Sequence, residues 1–153
     1  MRNKGKRQKA KGKSKEVRSR EEGKNYLIYW IVEENRNLSD RLLEFSIRVI
    51  KFLRKVENTI EFKAIKYQLI KAATSSGANY EEAQGAASKP DFINKIRIAL
   101  KEMREANYWL LVLNGVLENK SLKPELIELI DESEELKKIL GSICKKASIN
   151  KNR

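Results

Sequence analysis

The chain has 153 residues and a formal net charge of +12, with 33 Lys or Arg against 21 Asp or Glu and no histidine. This length is that of one domain, and 41% hydrophobic residues are enough for a core. Without histidine the chain has no His-based catalytic triad, no Glu-x-x-His pairs for a di-metal bundle and no zinc site with His ligands. We therefore expect no enzymatic activity and no cofactor.

The sequence offers no targeting or membrane-spanning segment. No run of eighteen apolar residues exists, and residues 1–24 lack the apolar core of a signal peptide. We expect a soluble, cytoplasmic protein without membrane contact. Its single cysteine, Cys144, cannot form an internal disulfide, and its position four residues after Leu140 favours a small buried apolar group over a reactive thiol.

The positive charge is concentrated at the two ends of the chain. Residues 1–24 have eleven Lys or Arg and three Glu, a net charge of +8, residues 145–153 have +4, and residues 25–144 are neutral. Residues 1–24 have almost no large apolar side chain, which predicts a disordered basic arm. Such an arm suits a phosphate polyanion and gives affinity without sequence specificity; a solubilising tail is the alternative.

The tails supply most of the predicted nucleic-acid contacts. In the arm these are Arg2, Lys4, Lys6, Arg7, Lys9, Lys11, Lys13, Lys15, Arg18 and Arg20. At the other end they are Lys145, Lys146, Lys151 and Arg153, the last two in a basic C-terminal tail predicted at residues 148–153. An aromatic linker or short element at residues 25–38 follows the arm. Its Tyr26, Tyr29 and Trp30 have two interpretations, stacking on bases or, as aromatics more commonly do, covering a groove or a subunit contact.

Four amphipathic helices are predicted between residues 39 and 147. Ser39 is the expected cap of the first, and a turn at residues 119–123 precedes the fourth, which Pro124 opens. Short joins between amphipathic helices predict an all-α, antiparallel up-down-up-down four-helix bundle. Each helix has a seam, which is the row of mostly apolar residues expected to face the core. In helix order, the seam residues are Leu42, Phe45, Val49, Leu53 and Val56; then Phe62, Ile65, Leu69, Ala72 and Ser76; then Phe92, Ile96, Ala99, Met103, Ala106, Leu110, Leu113 and Leu117; and finally Leu129, Ser133, Leu136, Leu140 and Ile143.

The join between the second and third helices has a distinct chemical signature. Gly85 suits the end of one helix, Ser88 the cap of the next, and Pro90 its first turn, with Asp91 as the acid of a capping box. The seam of the third helix alternates steps of four and three residues. We therefore expect a helical hairpin and a third helix of about 28 residues, roughly 40 Å long.

Some apolar residues lie beside or away from these seams. Some of these residues widen the apolar face that each helix turns to the core, as bundle helices require. The excess favours a second buried surface and therefore a homo-oligomer. These residues are Leu43, Ile50, Ile93, Leu100, Leu111, Ile127 and Ile130.

The stretch QLIKAATSSGANYEEAQGAASKPDFINKIRIALKEMREANYWL resembles a known family signature. It is similar to the four-helix-bundle proteins encoded in intervening sequences of bacterial large-subunit ribosomal RNA genes, also called S23 ribosomal proteins. The resemblance spans roughly residues 39–113. The matching motif positions are Gln68, Gly77, Ala78, Asn79, Tyr80, Glu82, Ser88, Asp91, Phe92, Glu102, Tyr108 and Trp109.

This resemblance implies a cytoplasmic bundle, commonly a homopentamer, with nucleic-acid binding as its role. A related family is the accessory variability protein of diversity-generating retroelements, which implies the alternative of docking on a reverse transcriptase and its template RNA. The chain departs from the pattern at Lys71, Ala72 and Ala73, where Arg-Ser is common, and in its long basic arm. The first departure weakens inferences about that helix surface, and the second supports polyanion binding.

The motif and the third helix each allow two interpretations. The small residues from Ala72 to Ala78 let a neighbouring helix approach closely, so packing explains much of the motif. On the third helix the predicted phosphate contacts are Lys89, Lys95, Arg97, Lys101 and Arg104, but nearby Glu102 and Glu105 make this surface mixed, and a solvated helix face is the alternative.

Overall fold

The computed structural model describes residues 38–149, and these form four α-helices with short joins. Helix α1 occupies 38–53, α2 Ile60–Gln84, α3 Lys89–Val116 and α4 Lys123–Ile149, with a 3₁₀ turn at Lys120–Leu122 before α4. No strand occurs in this range. The predicted all-α bundle is confirmed. The predicted basic arm, most of the aromatic segment and the last residues of the basic tail lie outside the described range.

Polar contacts between helices show that sequence neighbours pack antiparallel and that α4 returns to α1. Two contacts in each helix pair show that residue numbers rise on one helix as they fall on the other. The pairs of contacts are Ser39–Glu81 and Ser46–Ala73, Glu82–Lys95 and Ser76–Ala99, Arg97–Ser148 and Asn107–Ser133, and Arg41–Glu132 and Arg48–Glu128. The bonds join Ser46 Oγ to the Ala73 carbonyl (3.1 Å), Ser76 Oγ to the Ala99 carbonyl (2.8 Å), Asn107 Nδ2 to Ser133 Oγ (2.8 Å) and Arg41 Nη2 to Glu132 Oε2 (2.9 Å). Leu38 and Ile149 therefore lie at the same end of the bundle, together with the α2–α3 join.

The seams meet in one core. Nearly all the predicted seam residues are buried; Phe92 and Ile143 are partly buried and pack against the same core. Ser133 occupies its seam position at 0% exposure. Its hydroxyl donates to the Ile130 carbonyl (2.7 Å) and accepts from Asn107, so the buried polar group is satisfied. Burial of each large apolar side chain contributes about 1.5–3 kcal/mol, which makes this core the main source of stability.

The predicted break between α2 and α3 is confirmed. Ser88 has extended backbone angles, and its hydroxyl accepts from the Asp91 amide at 3.3 Å, while Pro90 lies in the first turn of α3. Gly85 ends α2 with φ −97°, so this helix end does not use the left-handed conformation. Instead its amide bonds back to the Glu82 carbonyl at 3.2 Å, which tightens the last turn.

The structure differs from the sequence expectations at two places. Ser39 is not a helix cap, because Leu38 is already helical and is buried against the core at 3% exposure. Helix α4 continues to Ile149, two residues beyond the predicted end of the bundle at residue 147. Ile93 and Leu100 are buried, each at 8% exposure, so they belong to the part of the off-seam set that widens the core.

Candidate nucleic-acid interface

Three cations follow one another along the exposed side of α3. Arg97, Lys101 and Arg104 are all exposed and are spaced by four and three residues, which places them on one face over about 10 Å of helix. None of them forms an ion pair with any residue in the described range. We call this row the α3 basic face.

The C-terminal part of α4 lies beside this row. Arg97 Nη2 donates to Ser148 Oγ at 3.5 Å. Burial raises the pKa of the Cys144 thiol, and the positive charges of Arg97 and Arg104 only partly oppose that increase. Both guanidinium groups are therefore near Cys144, whose thiol is partly buried against the core and is not activated.

Helix α4 adds exposed lysines next to the same region. Lys138 and Lys145 are exposed and lie seven residues apart, so they share a side of the helix. Gly141 lies between them, and no atom would come within 4 Å of a Cβ built there. The surface of α4 between these two lysines is therefore open.

A different arrangement neutralises the cations between α1 and α4. Arg41 donates through Nε and Nη2 to the two carboxylate oxygens of Glu132, both at 2.9 Å. This bidentate bond raises the pKa of Arg41. Two further pairs continue along the same interface, Arg48 with Glu128 at 2.9 Å and Lys55 with Glu125 at 2.7 Å. These three cations are already compensated, which distinguishes them from the α3 basic face.

The remaining predicted contacts are dispersed. Lys95 forms a hydrogen-bonded ion pair with Glu82 of α2, which raises the pKa of Lys95 and directs its charge away from the α3 basic face. Lys89 is exposed at the start of α3, and Lys146 is exposed on α4. The ten predicted contacts in residues 1–24, and those at Lys151 and Arg153, lie outside the described residues.

The family-motif residues do not form one surface. Tyr80 is 1% exposed in the core, and Gly77 faces Leu42 of α1. Asn79 Nδ2 donates to the Ser75 carbonyl of its own helix at 2.9 Å. The others are distributed as follows: Gln68, Asp91, Phe92, Glu102 and Trp109 are partly buried, whereas Ala78, Glu82, Ser88 and Tyr108 are exposed. Much of the motif therefore lies in packing and in a helix cap.

Sequence reasoning missed two members of the exposed surface. Lys138 was not among the predicted contacts, although its spacing of seven residues from Lys145 was available as a signal. Tyr108 was predicted only as a motif position, yet its side chain is 58% exposed and lies four residues after Arg104. The seam residues on either side of it, Ala106 and Leu110, already indicated that Tyr108 points away from the core.

The described residues offer no alternative site of another kind. Between residues 38 and 149 no group of three or more Cys, Asp or Glu could hold a metal ion. None of the four helices in that range contains a stretch that could span a bilayer. A shallow groove near Arg41 and Glu132 also exists, but its arginines are engaged by glutamates. The α3 basic face is thus the arrangement best suited to an anionic ligand.

Comparison with known proteins agrees with the bundle architecture. The profile described as 23S rRNA-intervening sequence protein matches residues 34–142. Solved structures that match include the crystal structure of a protein with unknown function from the S23 ribosomal protein family of Bacteroides thetaiotaomicron VPI-5482, at 36% identity and a TM-score of 0.61, covering 71% of this chain and 98% of that one. No curated protein matches significantly. The chain belongs to the 23S rRNA-intervening sequence protein family.

Proposed function

We propose that this protein is a non-catalytic, cytoplasmic bundle that binds RNA or DNA through the α3 basic face and its basic tails. The α3 basic face is the observation on which the proposal depends. Arg97, Lys101 and Arg104 lie over about 10 Å, which is roughly the rise of three nucleotides in one strand. Because no ion-pair partner for them occurs within residues 38–149, they are available to phosphates.

The topology of the bundle supports a combined contact with the tails. The described chain begins at Leu38 and ends at Ile149, at the end of the bundle where Arg97 bonds to Ser148. The sequence continues from Leu38 towards residues 1–24, which have a net charge of +8, and from Ile149 into residues 150–153, which have a net charge of +2. Because the tails are covalently attached at this end, their effective concentration is high near a polyanion bound to the α3 basic face.

Two variants with the same change in net charge test the proposal. The first replaces Arg97, Lys101 and Arg104 by Gln, and the control replaces Arg41, Arg48 and Lys55 by Gln. We expect the first to weaken RNA and DNA binding and to reduce the slope of log K against log salt by about two to three units, because each lost phosphate contact removes about 0.9 for a duplex.

The control should keep both its affinity and its salt slope, provided that its circular dichroism and melting curve show a folded bundle. An equal loss of affinity in the two variants would show that binding depends on net charge and not on the α3 basic face. An unchanged affinity in the α3 variant would exclude this face as a contact.

We also propose a homo-oligomer, and a pentamer by resemblance to the family. Leu43 on α1 and Tyr67 on α2 are 62% and 67% exposed, and Ile50 and Ile70 are only partly covered. The bond from Ser46 of α1 to Ala73 of α2 shows that these helices are neighbours. Apolar side chains on adjacent helices favour burial against another copy. Mass measurement in solution tests this: replacing Leu43 and Tyr67 by Glu should yield monomers.

The same exposed apolar residues favour a second function, that of an adaptor that docks on a protein such as a reverse transcriptase. A hydrophobic docking surface would resist both nuclease and high salt, whereas phosphate contacts would not. Capture of a purified reverse transcriptase by the full chain should therefore survive nuclease and high salt if the adaptor function holds. Release under these conditions would support nucleic acid as the bridge.

A further inference from the structure

An exposed tyrosine continues the row of cations along α3. Tyr108 follows Arg104 by four residues and Lys101 by seven, so it lies on the same side of the helix, about 6 Å beyond Arg104. Its side chain is 58% exposed. An anionic chain that runs along the α3 basic face would therefore reach an aromatic ring next.

The neighbouring tryptophan positions this ring. Trp109 is partly buried, packs against the core and donates from Nε1 to Glu105 Oε1 at 3.4 Å. The Tyr108 and Trp109 rings make an edge-to-face contact, with centroids 5.2 Å apart and planes at 75°. Tyr108 is thus an exposed ring held by an anchored one, and less conformational entropy is lost when a ligand covers it.

Cations in line with an exposed aromatic ring recognise a specific kind of polyanion. Arg and Lys side chains bind the phosphates, and an aromatic ring stacks on a base face. In a duplex the base faces are already stacked on one another, whereas single strands and loops present unstacked bases. The combination therefore favours a single strand lying along the roughly 16 Å of helix between Arg97 and Tyr108.

We infer that Tyr108 is a stacking platform for an unpaired base, and that with the α3 basic face it forms a binding site for single-stranded nucleic acid. This inference rests on the proposed function and specifies its ligand class. It assigns to Tyr108 a role different from those of Arg97, Lys101 and Arg104, since stacking needs a base whereas the cations need only phosphates. That difference makes the two roles experimentally separable.

The test compares two single-stranded oligomers of equal length, an oligouridylate and an abasic oligomer with the same phosphates. Fluorescence anisotropy at one fixed salt concentration gives the affinity of the full chain for each. We expect the oligouridylate to bind about 5- to 150-fold more tightly, the range for stacking on one base. Tyr108→Ala should abolish this preference, and Tyr108→Phe should keep it because the ring remains.

The outcomes separate this inference from the function on which it rests. Equal binding of the two oligomers by the unmodified chain, or a preference that survives Tyr108→Ala, would overturn the stacking role while leaving phosphate binding intact. Binding of a duplex but of neither oligomer would overturn this inference alone, whereas binding of no nucleic acid would overturn the proposed function as well. A melting curve of Tyr108→Ala confirms that the bundle is folded, as expected for so exposed a side chain.

Discussion

The glycine at the α1–α2 interface tests how closely these two helices pack. Gly77 lies inside α2 and has no positive φ, so alanine can adopt its backbone conformation. A Cβ at this position would lie 3.7 Å from both the Cβ and the carbonyl oxygen of Leu42, which is ordinary van der Waals contact. Alanine is favoured over glycine in a helix by about 0.5–1 kcal/mol. We therefore expect Gly77→Ala to stabilise the protein by that amount.

A larger side chain at the same place should have the opposite effect. The extra atoms of Gly77→Leu would have to enter the space held by Leu42, and overpacking of this kind costs about 1–3 kcal/mol. Gly141 provides the matched control, since it also lies inside a helix but has no atom within 4 Å of a built Cβ. Gly141→Ala and Gly141→Leu should both stabilise.

Urea denaturation followed by far-UV circular dichroism measures all four variants as full chains. The reasoning fails if Gly77→Ala lowers the free energy of unfolding by about 1 kcal/mol or more, because the helices would then be closer than the contact with Leu42 implies. It also fails if leucine is tolerated equally at both glycines.

Three further changes test other parts of the bundle. Met103→Ala removes a core side chain with 0% exposure and should cost about 2–5 kcal/mol in urea denaturation; a cost below about 1 kcal/mol would contradict its central position. Ser133→Ala removes the hydroxyl that accepts from the buried Asn107 amide at 2.8 Å and should lower the free energy of unfolding by about 1–3 kcal/mol. An unchanged free energy of unfolding would show that water replaces the hydroxyl. The hydrogen bond from Lys137 lowers the pKa of Glu134 from its ordinary value of 4.5, so this pair stabilises the fold above that pH and its contribution is lost as the pH falls through the folded-state pKa. Lys137→Ala should therefore flatten the fall in melting temperature below about pH 5, and an unchanged pH profile would show that the pair contributes nothing.

The helices could be predicted because apolar residues recur at helical spacing wherever one side of a helix is buried. The strict alternation of steps from Ile96 in α3 to Leu117, directly after α3, corresponds to residues that are all buried. The start of α1 could not be predicted in the same way. Ser39 followed by an acid has the local chemistry of a cap, but burial of Leu38 against the other helices extends α1 beyond it. Local chemistry marks a helix end only where tertiary packing does not override it.

The candidate site could be predicted from the sequence only in part. Spacing places Arg97, Lys101 and Arg104 on one face, because helical geometry fixes neighbours three and four residues apart. It cannot show that Lys95 pairs with Glu82, since that contact depends on the register between α2 and α3. The same limit applies to Arg97 and Ser148, which are 51 residues apart. Contacts between helices need the folded bundle.

Binding of RNA and DNA by the full chain and by the chain lacking residues 1–24, titrated across roughly 50 to 200 mM salt, tests the central claim most directly. With six or more phosphate contacts, the affinity of the full chain should fall about 10³-fold or more over this range. The truncated chain should bind more weakly, with a shallower slope from the α3 basic face and the C-terminal basic residues. The absence of binding at any salt concentration, or an affinity independent of salt, would contradict a role in nucleic-acid binding.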